Sequence, residues 1–173
     1  MSTLFTPMPK TKTKKILGID PGYGRLGFGL VKVQAGNLSA VDYGCITTSV
    51  KSPHAKRLLK ISTDLKKVLK KHRPDLVAIE QIFFAKNVKT AIKVSEARGA
   101  ILLAAQESGY QIVEFTPLQV KVAITGYGQA EKSQVQKLVE RLLKIKQKIT
   151  SDDAADALAI AVCAAQNNNL NQK

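Results

Sequence analysis

The chain has 173 residues, 45% of them hydrophobic and 23% charged, which suits one ordinary folded domain and excludes disorder along its whole length. Its 27 Lys and Arg against 13 Asp and Glu give a formal net charge of +14 and a pI near 9.9. A surplus of that size points to a polyanionic partner, because each neutralised phosphate releases condensed counterions.

Residues 1–15 read as a disordered basic tail that lacks the apolar stretch of a signal peptide. Ile16-Leu17-Gly18-Ile19 is a short apolar strand that stops at the turn Asp20-Pro21-Gly22. Gly27 to Val33 resumes as a second strand, Ala35-Gly36-Asn37 turns a hairpin, and Leu38 to Thr48 returns as a third. The period then changes. Leu58, Leu59, Ile61, Leu65, Val68 and Leu69 recur at helical spacing between Pro53 and Pro74. Leu76-Val77-Ala78-Ile79-Glu80 predicts a buried strand, Val88 to Glu107 a helix stopped by Gly109, and Gln111 to Phe115 a fifth strand. A short helical piece around 118–124, a helix from Glu131 to Lys144 and a last helix from Ser151 to Ala165 complete the domain, taken as residues 16–166. Residues 167–173 read as a polar C-terminal tail.

This order predicts an α/β fold with a mixed five-stranded sheet flanked by helices on both faces, the later strands parallel through right-handed crossovers. The basic residues concentrate in 51–73 and 132–148, both amphipathic, which favours a nucleic acid over an evenly solubilising surface. Cys45 and Cys163 have no metal-type spacing and read as small core residues of a reducing compartment. No apolar run has the length of a membrane span, so no membrane partner and a cytoplasmic location are expected. His54 and His72, beside or within the first helix, are expected at the surface.

Four acids break the pattern. Glu80 ends a strand without a single polar residue before it, and a carboxylate there is unfavourable unless paired, hydrogen-bonded or bound to a metal. Asp20 stands in the same position after its own strand, although Asp-Pro-Gly is also ordinary turn chemistry. Ligand sites in α/β sheets gather at such strand ends. Asp153 and Asp156 are three apart and share a helix face. Asp152 and Asp153 also suit the positive end of a helix capped by Ser151, whereas Asp156 lies among close-packing alanines and needs a partner. Converging carboxylates repel, and hard divalent cations resolve the repulsion. Two such ions a few ångström apart serve phosphodiester cleavage, which suits an acidic centre inside a basic protein.

Together the segments Ile16-Leu17-Gly18-Ile19-Asp20-Pro21-Gly22, Ala78-Ile79-Glu80-Gln81-Ile82-Phe83, Ala97-Arg98-Gly99, Gln129-Ala130-Glu131-Lys132-Ser133-Gln134 and Asp153-Ala154-Ala155-Asp156-Ala157-Leu158-Ala159 closely resemble the RuvC family of Holliday-junction resolvases, in order over residues 15–166. The resemblance implies a ribonuclease-H-like fold and a homodimer formed through the helix at 88–107. It also implies paired symmetric nicks across a four-way DNA junction in recombination and repair, in concert with a branch-migration motor. The family's catalytic, metal-binding acids match Asp20, Glu80, Asp153 and Asp156, expected to hold two Mg²⁺ per subunit with Mn²⁺ as a substitute. Its DNA contacts match Phe83, Lys121 and Lys132, and Lys86 follows Phe83 in the same loop. Tyr23 departs from the family, which often has a small hydroxyl residue there.

Three other readings bear on the same residues. The actin-like ATPases and sugar kinases also open on a strand, an Asp and a Gly-rich hairpin, but clasp their nucleotide between two domains that 173 residues do not supply. A non-catalytic DNA-binding protein explains the charge and leaves the acids unexplained, while a nuclease of the same fold with another nucleic-acid substrate explains both.

Overall fold

A computed structural model describes residues 13–81 and 88–170. The strands are β1 (Lys14–Asp20), β2 (Arg25–Gln34), β3 (Asn37–Thr47), β4 (Leu76–Glu80) and β5 (Ile112–Phe115). The helices are α1 (His54–His72), α2 (Val88–Glu107), α3 (Pro117–Thr125), α4 (Lys132–Leu142) and α5 (Asp152–Leu170). They form one sheet in the order β3-β2-β1-β4-β5. The first three strands make an antiparallel meander. β1, β4 and β5 run parallel, as crossover connections through α1 and α2 require. This is the mixed five-stranded architecture expected from the sequence.

Side-chain alternation divides the core in two. Leu17 and Ile19 of β1 and Val77 and Ile79 of β4 pack on Ile61, Leu65 and Leu69 of α1 and Ala97, Ile101 and Ala104 of α2. Ile16 of β1 and Leu76 and Ala78 of β4 face the other way, onto α3, α4 and α5. Asp20 and Glu80 share the parity of this second set, so the period of the strands sends both carboxyl groups toward α5. The parallel register pairs Ile19 with Ile79, which leaves Asp20 and Glu80 side by side at adjoining strand ends.

Local boundaries differ from the expectation at two places. Lys14 and Lys15, expected in the tail, already pair with Val33 and Lys32, because β2 is long enough to extend the ladder past the apolar segment. α5 continues beyond Ala165 to Leu170, and the Asn167 side chain donates to the Cys163 carbonyl at 2.9 Å. The β2–β3 hairpin turns through Ala35 and Gly36, both at positive φ (51° and 77°), the signature of a tight hairpin turn matched to strand twist. Contrary to expectation, His72 is not a surface residue. Its side chain is only 10% exposed and its Nε2 lies 2.8 Å from Asp42, because the C-terminal end of α1 packs over β3.

Candidate active site

The approach of α5 to the sheet decides where the acids sit. Gly18 of β1 and Gly27 and Gly29 of β2 lie beneath it. A Cβ on Gly18 would come within 2.0 Å of the Ala157 carbonyl oxygen, and one on Gly27 within 2.0 Å of that of Asp153. The helix offers small residues in return: Ala154, Ala155, Ala157 and Ala161 are buried. Helix backbone therefore lies directly against strand backbone, a close approach that only glycine permits. Gly27 is the β-ladder partner of Asp20. The first turn of α5 thus comes down beside Asp20, and three residues later the same helix face carries Asp156.

Each outer acid is held by a cation. Arg25, at the start of β2, sets its Nε 2.7 Å from Asp153 Oδ2. Lys132, the first residue of α4, donates from Nζ to Asp156 Oδ2 at 2.7 Å and stands 3.8 Å from Asp152. The start of α4 is fixed by a reciprocal cap in which Glu131 and Gln134 each accept from the other's backbone, so Lys132 is delivered from a defined helix end. At the start of α5, Ser151 Oγ accepts the Ala154 amide at 3.4 Å and lies 2.8 Å from Cys45 Sγ. Cys45 is therefore half-buried beside the acids, whereas Cys163 is in the core as expected.

Electrostatics follow from this crowding. Burial, then the charges of Asp156, Glu80 and Asp153, push the Asp20 carboxyl up from 3.8 to about 7. Burial and then Asp156 push Glu80 from 4.5 to about 7, with Lys132 opposing. Asp156 is also raised, chiefly by burial, against the hydrogen bond from Lys132. Burial alone would lower the Lys132 ammonium, but its bond to Asp156 overcomes this and holds it above the ordinary lysine value.

Asp153, the acid that the sequence distinguished least from its neighbour, faces Asp20, whereas the Asp152 side chain is 69% exposed and points outward. Among the described residues no three of these side chains close into a ready-made metal cage, since Asp156 is turned to Lys132 and Asp153 to Arg25. The donor set nevertheless fits hard divalent cations: every group is a carboxylate, and two of them resist ionising together without added positive charge.

A cleft of about 280 Å³ opens beside the acids, lined by Glu80, Pro117, Val120, Lys121, Lys132, Val135, Asp156 and Ala159. Lys121 and Lys132, expected as DNA contacts, thus share one wall-to-wall groove with two of the acids. Phe83 and Lys86 lie outside the described residues. Tyr23 sets its hydroxyl 2.8 Å from His54 Nδ1, and its ring covers the buried Arg57 guanidinium at 3.6 Å. Arg25 was not foreseen as part of the site. Its only sequence signal is a cation at the start of a strand that faces the first acid.

The family model described as "Crossover junction endodeoxyribonuclease RuvC" matches residues 16–164. The chain belongs to the RuvC family. It is 49% identical over 148 residues to the crossover junction endodeoxyribonuclease RuvC of Petrotoga mobilis, covering 86% of this chain and 91% of that one. With the Thermosipho melanesiensis protein of the same name it shares 51% over 151 residues, covering 87% and 96%. Among solved structures, Thermus thermophilus RuvC in complex with Holliday junction substrate superposes with a TM-score of 0.86 at 35% identity, covering 91% of this chain and 96% of that one. Membership establishes the ribonuclease-H-like fold that the resemblance implied, and with it a crossover junction endodeoxyribonuclease. The acids and the cleft lie inside the matched segment.

Proposed function

We propose that this chain resolves four-way DNA junctions by paired, symmetric, Mg²⁺-dependent nicks, with Asp20, Glu80, Asp153 and Asp156 as the catalytic, metal-binding carboxylates. The observation that carries this reading is the meeting of two strand-end acids with two acids of α5 inside a protein of net charge +14. Metal dependence is general to nucleases of this family; Mg²⁺ with Mn²⁺ as a substitute is assigned from the all-oxygen donor set, and two ions per subunit from the two-metal chemistry of phosphodiester cleavage. The chemistry supplied by bound cations is a lowered pKa for the attacking water and compensation of charge on the leaving oxygen.

The protein's own groups do the rest. Asp20 and Glu80, adjacent on a rigid sheet, fix one side of the site. α5 brings Asp153 and Asp156 to the other at a distance set by backbone contact. Lys121 and Lys132 neutralise the phosphate entering the cleft, and a phosphate competing for Lys132 frees Asp156 from its resting ion pair. Hydrolysis places the water oxygen on phosphorus, breaks one P–O bond and leaves the proton on the departing oxygen. Phe83 and Lys86, three and six residues after Glu80 in the chain, are assigned to the DNA bases and backbone at the crossover.

Paired nicks need two sites, and α2 suits a homodimer interface. Ile92 and Leu103 are 56% and 60% exposed, and between them Gly99 has nothing within 4 Å of where its Cβ would be, leaving room for a second helix. The nuclease domain is assigned with the ends that its elements set, from Lys14 at the start of β1 to Leu170 at the end of α5, in place of 16–166. A branch-migration motor as partner and a cytoplasmic location belong to the same reading; no described helix is long and apolar enough to cross a membrane.

The test is incubation with a synthetic four-way junction and a matched linear duplex in Mg²⁺. Selective paired nicking of the junction is expected, and Asp20→Asn, Glu80→Gln or Asp156→Asn abolishes it while binding persists. Junction binding without nicking by the unmodified protein would favour a non-catalytic DNA-binding role instead.

A further inference from the structure

A second concave surface lies along α4, away from the acids. Ser133, Gln136, Lys137, Glu140, Lys146 and Lys148 are among the residues that line a cleft of about 410 Å³ between the helix and the segment that follows it. This wall is pinned in place. Gln136 Nε2 donates to the Ile149 carbonyl at 2.8 Å, and Glu140 Oε1 accepts the Ile149 amide at 2.8 Å. Leu143 and Ile149 anchor the segment in the core at 3% and 2% exposure. The chain leaves α4 through Lys144 at a φ of 56°, and the Ile145 amide then bonds back to the Glu140 carbonyl at 2.9 Å.

The charge of this cleft is one-sided. Lys137, Lys146 and Lys148 are exposed. Among the described residues none of them meets a carboxylate, in contrast to Lys60, Lys66, Lys67 and Lys71 around α1, each of which does. The lining acid, Glu140, already spends one oxygen on Ile149. Three lysines on a fixed concave wall form a phosphate-binding surface of the kind that tracks a nucleic-acid backbone.

Position makes the surface useful. Lys132, Gln136 and Glu140 fall at i, i+4 and i+8, so one row of α4 begins at the Lys132–Asp156 pair and ends in this cleft. The 11 residues of α4 span about 16 Å, close to five base pairs of duplex. We infer that the α4 cleft, through Lys137, Lys146 and Lys148, binds the sugar-phosphate backbone of a DNA arm several base pairs from the phosphate held at the acids. The inference rests on the junction reading and adds to it a second contact that fixes the direction in which the arm leaves.

The experiment compares the full-length protein with the triple variant Lys137→Gln, Lys146→Gln, Lys148→Gln. Fluorescence anisotropy measures binding to four-way junctions over a salt series. One junction has arms running well past α4; the other has arms trimmed short and closed by hairpin loops. On long arms the variant should bind more weakly, and its slope of log K against log salt should be shallower by about 2 to 3 for each subunit seated on an arm, about 5 for the dimer. On trimmed arms the two proteins should bind alike. Equal slopes on long arms would overturn the inference, as would the same loss on both substrates, which would reduce the lysines to generic surface charge. A thermal melt checks that the variant is folded. Unmodified protein that binds linear duplex as tightly as the junction would defeat the junction reading itself, an outcome distinct from the other two.

Discussion

Replacing Asp20 by asparagine should stabilise the metal-free protein near neutral pH. Folding moves this carboxyl from 3.8 to about 7, so the folded state holds the proton more tightly than the unfolded chain between those values. Stability therefore falls as pH rises through that window. The penalty is complete above the folded value and absent below the unfolded one. About three pH units at 1.36 kcal/mol each amount to ~4 kcal/mol. The site opens onto a cleft, so water screens part of this, and roughly half, ~2 kcal/mol, is the expected gain from Asp20→Asn. For a chain of this size that is ~4–8 °C in Tm. The assay is thermal unfolding by circular dichroism in excess chelator, at a pH near 8 and again near 4, where the advantage of the variant should vanish. Added Mg²⁺ should raise the Tm of the unmodified protein more than that of the variant. A variant no more stable than the unmodified protein near pH 8 would refute the reasoning, because Asp20 would then carry its charge without strain.

Gly27→Ala should fold less stably by about 1–3 kcal/mol and nick junctions at least ~100-fold more slowly, since the new methyl group displaces the Asp153 backbone; single-turnover rates on folded protein decide it, and a normal rate would show that α5 yields without moving the acids. Lys132→Gln frees Asp156 from its ion pair, so Mn²⁺ should bind more tightly in calorimetry without DNA while cleavage falls; weaker Mn²⁺ binding would mean that Lys132 organises the carboxylates rather than competing for them. If the proposed homodimer forms through α2, Leu103→Glu should convert it to a monomer in light scattering at unchanged helical content, and a persistent dimer would move the interface elsewhere.

Much of the site was legible because Asp20 and Glu80 each close an apolar strand at its carboxyl end, and strand alternation then fixes the side they face. An acid that continues the parity of Ile16 and Gly18, or of Leu76 and Ala78, has to face whatever covers that side of the sheet. That α5 covers it was not legible. The deciding signal was Gly27 and Gly29 alternating opposite Gly18, a pattern that marks close backbone approach but looks in sequence like a loose hairpin. Asp153 and Asp152 could not be separated along the chain, because both suit a helix start; only the seating of α5 turns one inward and the other to solvent. Arg25 escaped notice, and Cys45 was expected in the core rather than beside the acids, because the strand that carries each enters the site from the sheet's antiparallel side, far in sequence from Asp153. The lysines at 137, 146 and 148 were visible as charge, but the concavity that groups them depends on how Ile149 is clasped by α4.

The contact of α5 with the glycine patch has an evolutionary consequence. In most cores a helix rests on side chains that repack when one of them changes size, so its height above the sheet drifts from one descendant to the next. Here the height is set by peptide groups, which are common to every residue and cannot be traded. The acids can thus keep their spacing while the outward surfaces of both layers diverge freely. The same contact makes the smallest step coarse, because a single methyl group added to Gly18 or Gly27 meets peptide atoms rather than a side chain that can repack.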